Sequence, residues 1–242
     1  MNEKQWLKAT RPFPCRDLGL KFGSVRKLRL LMVGYLEPLQ PFFTDESRAV
    51  FLMLREWAET GAQQRIEPRW AAVDGPLRDS TERSPRGLAS SAMAWIVMQS
   101  PRIDRLWFEA TLPSRAAQAL AFDKMGPSPI DVPPTHPKHQ TWSMGWKEEF
   151  AAAQLDQVAT MKCVYGNPFR PVTFDEAWLT WRDATVVRLA EAIYAERAFE
   201  RLPILADALE ESGCTNEKIL GHCRRPGLHV RGCWVVDGVL KK

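Results

Sequence analysis

Five residues in the last thirty positions carry the side chains with the most chemical scope: Cys214, His222, Cys223, His229 and Cys233. His229 and Cys233 stand four apart, the spacing that places two side chains on one face of a helix, and His222 or Cys223 would approach from the helix before it. Thiolate and imidazole are the ligands tetrahedral zinc prefers, so the set reads as a candidate structural zinc site. It lacks a Cys-x2-Cys knuckle. The competing reading is a set of buried thiols beside hydrogen-bonded histidines, with no cofactor. A thiol nucleophile with His222 or His229 as its base is a third reading.

The same region divides its charge. Glu191, Glu196, Glu200, Asp207, Glu210, Glu211 and Glu217 face only Arg197 and Arg201, and then Lys218, Arg224, Arg225, Arg231, Lys241 and Lys242 face only Asp237. Neighbouring blocks of this kind either pair within the fold or present a basic edge. Arg224, Arg225, His229 and Arg231, with Trp234 available to stack, form the candidate partner-binding set, for an acidic protein surface or for nucleic-acid phosphate. Trp178 with Trp181, three apart, is a further aromatic pair on one face of a short helix, and Trp142 with Trp146 brackets the end of the proline-rich segment; most such rings are expected to pack between helices.

Signatures of the common enzymes are missing. The sequence has no G-x-x-x-x-G-K-[ST], no G-x-G-x-x-G, no H-E-x-x-H and no G-x-S-x-G, so no catalytic residue is assigned and the balance is against an enzyme. His136 and His139 share a proline-rich stretch without a carboxylate or thiol nearby.

The elements that must position these residues read as helices. Ser24 caps a segment in which Val25, Leu28, Met32, Tyr35 and Leu36 recur at helical spacing, and from Leu30 onward it is apolar all round, as a buried segment is. Thr44, followed by Asp45 and Glu46, starts a second helix with Val50, Leu54, Trp57 and Ala58 in one stripe, and Gly61 stops it. Ser84 and Pro85 start another, into Leu88 to Met98, after a loop from Glu67 to Arg83. Five prolines between Pro127 and Pro137 exclude a helix interior and mark a boundary. Beyond it, Trp146 to Lys162 reads as a helix, Thr173 and Glu176 as a capping box, Asp183 as the cap of the next helix, and Leu202 to Glu211, Thr215 to Cys223 and His229 to Leu240 as short helices.

The expected fold is therefore all-α, a multi-helix array or bundle of nine to twelve helices with a compact C-terminal unit. The expected division is an N-terminal helical unit over 1–125, a proline-rich linker or surface loop over 126–145, and a C-terminal helical unit over 146–242. At 242 residues the chain can bury a core without disulfide or metal, and its 45% hydrophobic and 26% charged residues are those of a folded soluble chain. A net charge of +4 singles out no partner. No apolar run approaches a membrane span or a secretory leader, and five cysteines form no disulfide framework, so reduced thiols in the cytoplasm are expected.

The run GNPFRPVTFDEAWLTWRDATVVRLAEAIYAERAFERLPILADALEESGC from Gly166, followed by HCRRPGLHVRGCWVVDGVL to Leu240, resembles the C-terminal signature of a bacterial family expanded in planctomycetes. WLKAT, SVRKLRLL and TDESRAV near the start resemble that family's opening. Where its members carry Cys-Cys-Arg after the KLRL segment, this chain has Gly34, Tyr35 and Leu36. The family has no established activity, so the resemblance implies a shared fold and supplies no mechanism. The function expected is a non-catalytic helical module for protein interaction or scaffolding. The alternatives are a nucleic-acid-binding or structural-zinc module using the C-terminal Cys/His/Arg region, and an enzyme of unrecognised class.

Overall fold

Helix caps written in the sequence set the first elements. In the computed structural model, which describes residues 1–13, 18, 21–22, 24–61, 85, 88–89, 92, 111–126 and 133–242, the Ser24 hydroxyl accepts from the Lys27 N–H and opens a helix at Val25. The described residues form nine α-helices and two 3-10 helices, with no strand among them: α1 (Glu3–Leu7), α2 (Val25–Leu36), α3 (Asp45–Thr60), α4 (Thr111–Met125), α5 (Pro137–Tyr165), α6 (Glu176–Glu196), α7 (Leu202–Glu211), α8 (Glu217–Arg224) and α9 (Trp234–Val239), with 3-10 turns at Glu37–Phe42 and Phe199–Arg201. The chain is all-α. No helix among the described residues is long and apolar enough to cross a membrane.

These elements pack as two units, Lys8–Val158 and Met1–Leu7 with Ala159–Lys242. Pro137 does not break a helix because it begins one: its missing N–H is among those a first turn leaves unbonded, and α5 runs on for 29 residues. The helix expected at Leu88 to Met98, the loop at Glu67 to Arg83 and Cys15 fall wholly or largely outside the described residues.

In the unit Lys8–Val158, α2 and α3 pack face to face. Leu28, Leu31, Met32, Tyr35 and Leu36 of α2 and Val50, Phe51, Leu54 and Trp57 of α3 are buried, and every residue of α2 from Leu30 onward is buried too. Thr44 caps α3 by accepting from the Ser47 N–H, and Gly61 ends it. Arg26 bridges to Glu59 at 3.1 Å, Arg55 pairs with Glu37, and Arg29 Nε donates to the Ala58 carbonyl at 3.2 Å, so three polar ties flank the apolar seam. On α5, Trp142, Trp146 and Phe150 stack in succession, and Phe122 of α4 meets the two tryptophans, with centroids 5.1 to 6.4 Å apart.

The C-terminal unit is built from shorter pieces around Leu179, Val186, Ala190, Ile193, Leu205 and Val236. Asp175, not Thr173, caps α6, its carboxylate accepting from the Ala177 N–H. Asp183 caps nothing. It sits with Arg182 and Ala184 at positive φ, in a left-handed kink that splits α6 in two. Asn216 caps α8, one residue beyond Thr215. The helix expected from His229 begins only at Trp234, because Pro226, Gly227 at φ 130° and Gly232 at φ 88° keep the preceding stretch irregular. Gly238 lets α9 lie directly on Phe174: a Cβ there would sit 2.0 Å from the ring's Cε2.

Candidate metal centre

His222 lies in the last turn of α8, and its neighbour Cys223 points about 100° away into the core beside Ile219 and Leu220. After α8 the chain turns through Pro226 and Gly227 to His229, and after Gly232 it re-enters a helix with Cys233 at the boundary. Loop geometry, rather than a shared helix face, brings His229 and Cys233 together. The fourth member comes from far away in sequence: Cys163, in the last turn of α5.

The ligand atoms of Cys163, His222, His229 and Cys233 all lie within 4.8 Å of one another. Cys163 Sγ is 3.5 Å from His229 Nδ1, and His222 Nε2 is 3.3 Å from Cys233 Sγ. Zinc bonds of about 2.3 Å to sulfur and about 2.05 Å to nitrogen, at the tetrahedral angle, put S and N roughly 3.6 Å apart, so these spacings match the edges of a zinc tetrahedron. Both thiols are 0% exposed, while the two imidazoles are half-buried and meet edge to face at 4.9 Å between centroids.

His229 Nε2 is 3.2 Å from the Arg225 carbonyl, which only accepts, so that nitrogen carries a proton and Nδ1 faces Cys163. Backbone orientation of a ligating imidazole through its second nitrogen is a recurrent device of metal sites. Burial opposes a thiolate at Cys233, yet hydrogen bonds from Cys163, His222 and His229 outweigh it and hold that thiol well below the ordinary cysteine range. The hydrogen bond to Cys233, with burial added, pushes Cys163 well above that range. For His229, burial is outweighed by its bonds to Cys233 and to the Arg225 carbonyl, and its pKa rises. Were a divalent ion held here, two thiolates and two neutral imidazoles would balance its charge, and the four protein ligands would fill a tetrahedral shell.

Of the five residues singled out in the sequence, His222, His229 and Cys233 converge. Cys214 and Cys223 stand outside the cluster, buried in the core, with thiols pushed up by burial. Cys163 was missed as a partner because it lies 66 residues from His229, and its only signal is being a thiol at the end of an expected helix.

The basic set is placed differently. Arg224 bridges Asp207 at 2.8 Å and Glu210 at 2.5 Å, both on α7. Arg231 donates through Nε and Nη2 to the Tyr194 carbonyl at 3.1 and 3.0 Å and to that of Ala195 at 3.3 Å, holding the end of α6 where the helix dipole favours a cation. Trp234 is half-buried against His222 and Phe174. Arg225 is exposed. His136 and His139 lie at the start of α5, His136 accepting from the Lys138 N–H and His139 against Trp142. No family model matches this chain, and neither a curated protein nor a solved structure does.

Proposed function

We propose that this chain is a non-catalytic helical module whose C-terminal unit is stapled by a structural zinc ion on Cys163, His222, His229 and Cys233. One observation carries the reading: four ligand atoms of the S2N2 type gather within 4.8 Å, two of them on thiols with no exposure to solvent. Soft thiolates with imidazoles in tetrahedral array suit zinc over magnesium or calcium. A shell already filled by protein suits structure over catalysis. The free thiols at Cys163, Cys214, Cys223 and Cys233 fit a reducing compartment such as the cytoplasm. In such a module the metal supplies folding energy, and the role that remains is to hold a fixed surface for a protein partner. Against the nucleic-acid alternative stands the internal use of Arg224 and Arg231.

Elemental analysis and native mass spectrometry of the purified, untagged chain test the reading. About one zinc per chain, replaceable by cobalt with the intense visible bands of a tetrahedral thiolate site, is the expected result. A folded chain that neither retains zinc nor takes it up after reduction would overturn it.

A further inference from the structure

Trp6 lies in a helix of five residues, a length that does not hold itself together in water. Asn2 and Gln5 close its first turn reciprocally, with Asn2 N–H donating to Gln5 Oε1 and Gln5 N–H to Asn2 Oδ1. Its anchorage is tertiary. Trp6 is 1% exposed, its ring meets Tyr165 edge-on at 6.4 Å, and its Nε1 donates to the Gly166 carbonyl at 3.0 Å. Asn167 Nδ2 donates to Glu3 Oε1 at 2.9 Å, Arg170 pairs with the same oxygen at 2.7 Å, and Lys162 Nζ donates to the Leu7 carbonyl at 3.1 Å. All of these partners fall within residues 162–170, the stretch that brackets and follows Cys163.

Gly166 also touches the opposite side of the centre. It holds φ at +61°, and a Cβ added to it would lie 3.0 to 3.3 Å from Cγ, Cδ2 and Cδ1 of Trp234. Trp234 follows Cys233 in the chain, and its ring packs on His222 at 5.4 Å. A continuous path of contacts therefore runs from Trp6 through Gly166 and Trp234 to His222, and along the backbone from Gly166 to Cys163 and from Trp234 to Cys233.

We infer that α1 is a positioning element of the metal centre: docking of Trp6 on Gly166 and loading of the ion strengthen one another. The inference rests on the zinc reading above. Its physical content is a linkage, in which the factor by which the docked helix tightens zinc equals the factor by which zinc favours docking. The two factors are measured separately.

Zinc affinity of the full chain is compared with that of Trp6→Ala and Trp6→Phe by competition with a chromogenic chelator, and the cobalt spectrum of each is recorded. Docking is read on the wild-type chain from trypsin cleavage after Lys4, with zinc bound and after chelation. Trp6→Ala should bind zinc about tenfold more weakly with an unchanged one-to-one ratio and a tetrahedral cobalt spectrum. Trp6→Phe, which keeps a ring but loses the bond to Gly166, should fall between, and zinc should slow the Lys4 cut by the same factor. Equal affinity in all three chains, with cleavage indifferent to zinc, overturns the coupling while the zinc site stands. A wild-type chain that binds no zinc overturns both. If Trp6→Ala does not fold, the wild-type cleavage decides alone, and a rate unchanged by zinc overturns the inference.

Discussion

The α2 and α3 pair and the stretch from α8 to α9 are both helical, but they are held by different means. The first has helices of 12 and 16 residues, each opened by a side-chain cap, meeting along a seam of large apolar side chains. The second has helices of 8 and 6 residues joined by nine residues of irregular chain, and His222, with His229 and Cys233 of that join, faces Cys163 of α5. A helix of two turns gains little from propensity, so its geometry must come from tertiary contacts. Where long helices bury a stripe, apolar area suffices. Where short ones must be pinned at a bend, the proposed zinc ligands would do more per residue than packing does.

Cys163→Ser is the sharpest way to break that contrast. Structural zinc contributes about 10 to 16 kcal/mol of apparent binding energy in small modules, so losing one thiolate should cost more than any cap or ion pair in the molecule. The variant should lose its zinc, and hydrogen exchange should show residues 217–239 unprotected while the amides of α2 and α3 remain protected. Cys214→Ser is the control: a hydroxyl buried in place of a thiol outside the cluster costs about 1 to 3 kcal/mol and leaves zinc in place. Unchanged zinc content and exchange in Cys163→Ser would remove the metal from the account of this region.

Thr44→Ala tests the other side at a smaller scale. Loss of its hydroxyl removes the acceptor for the Ser47 N–H and should destabilise the α2 and α3 pair by about 1 kcal/mol, read as a lower urea midpoint. Zinc affinity, by chelator competition, should not move, since changes without shared partners add. A drop in zinc affinity would show that the two regions do not stabilise independently.

Legibility in the sequence follows the same contrast. Ser24, Thr44 and Gly61 do locally what their types suggest, because a cap depends on residues three or four positions away and on nothing else. The capping box at Thr173 and Glu176 gave way to Asp175, a competing cap two residues on, and the three left-handed residues from Arg182 to Ala184 carry no glycine to announce them. Helical spacing of His229 and Cys233 pointed to the right pair for the wrong reason, since Gly227 and Gly232 free that stretch from the helix. Cys163 and Trp6 were beyond reach: their contacts with His229 and Gly166 span 66 and 160 positions, which no local pattern encodes.

The smallest expected effect concerns the charge blocks. Arg224 bridges Asp207 and Glu210 on the neighbouring helix, but its side chain is 41% exposed and the acids are more exposed still, at 66% and 56%. Water already solvates such groups well, and holding three long side chains in one geometry offsets most of the Coulomb gain. Arg224→Ala should therefore leave the urea midpoint within error at physiological salt. Any difference at low salt should shrink on raising ionic strength, because mobile ions screen solvent-exposed charges. A double-mutant cycle with Glu210→Ala measures the pair directly, and a coupling that persists in high salt would mean the opposed charge blocks fasten α7 to α8. With the coupling small, the alignment of those two helices is left to the buried Leu205, Leu209, Ile219 and Cys223.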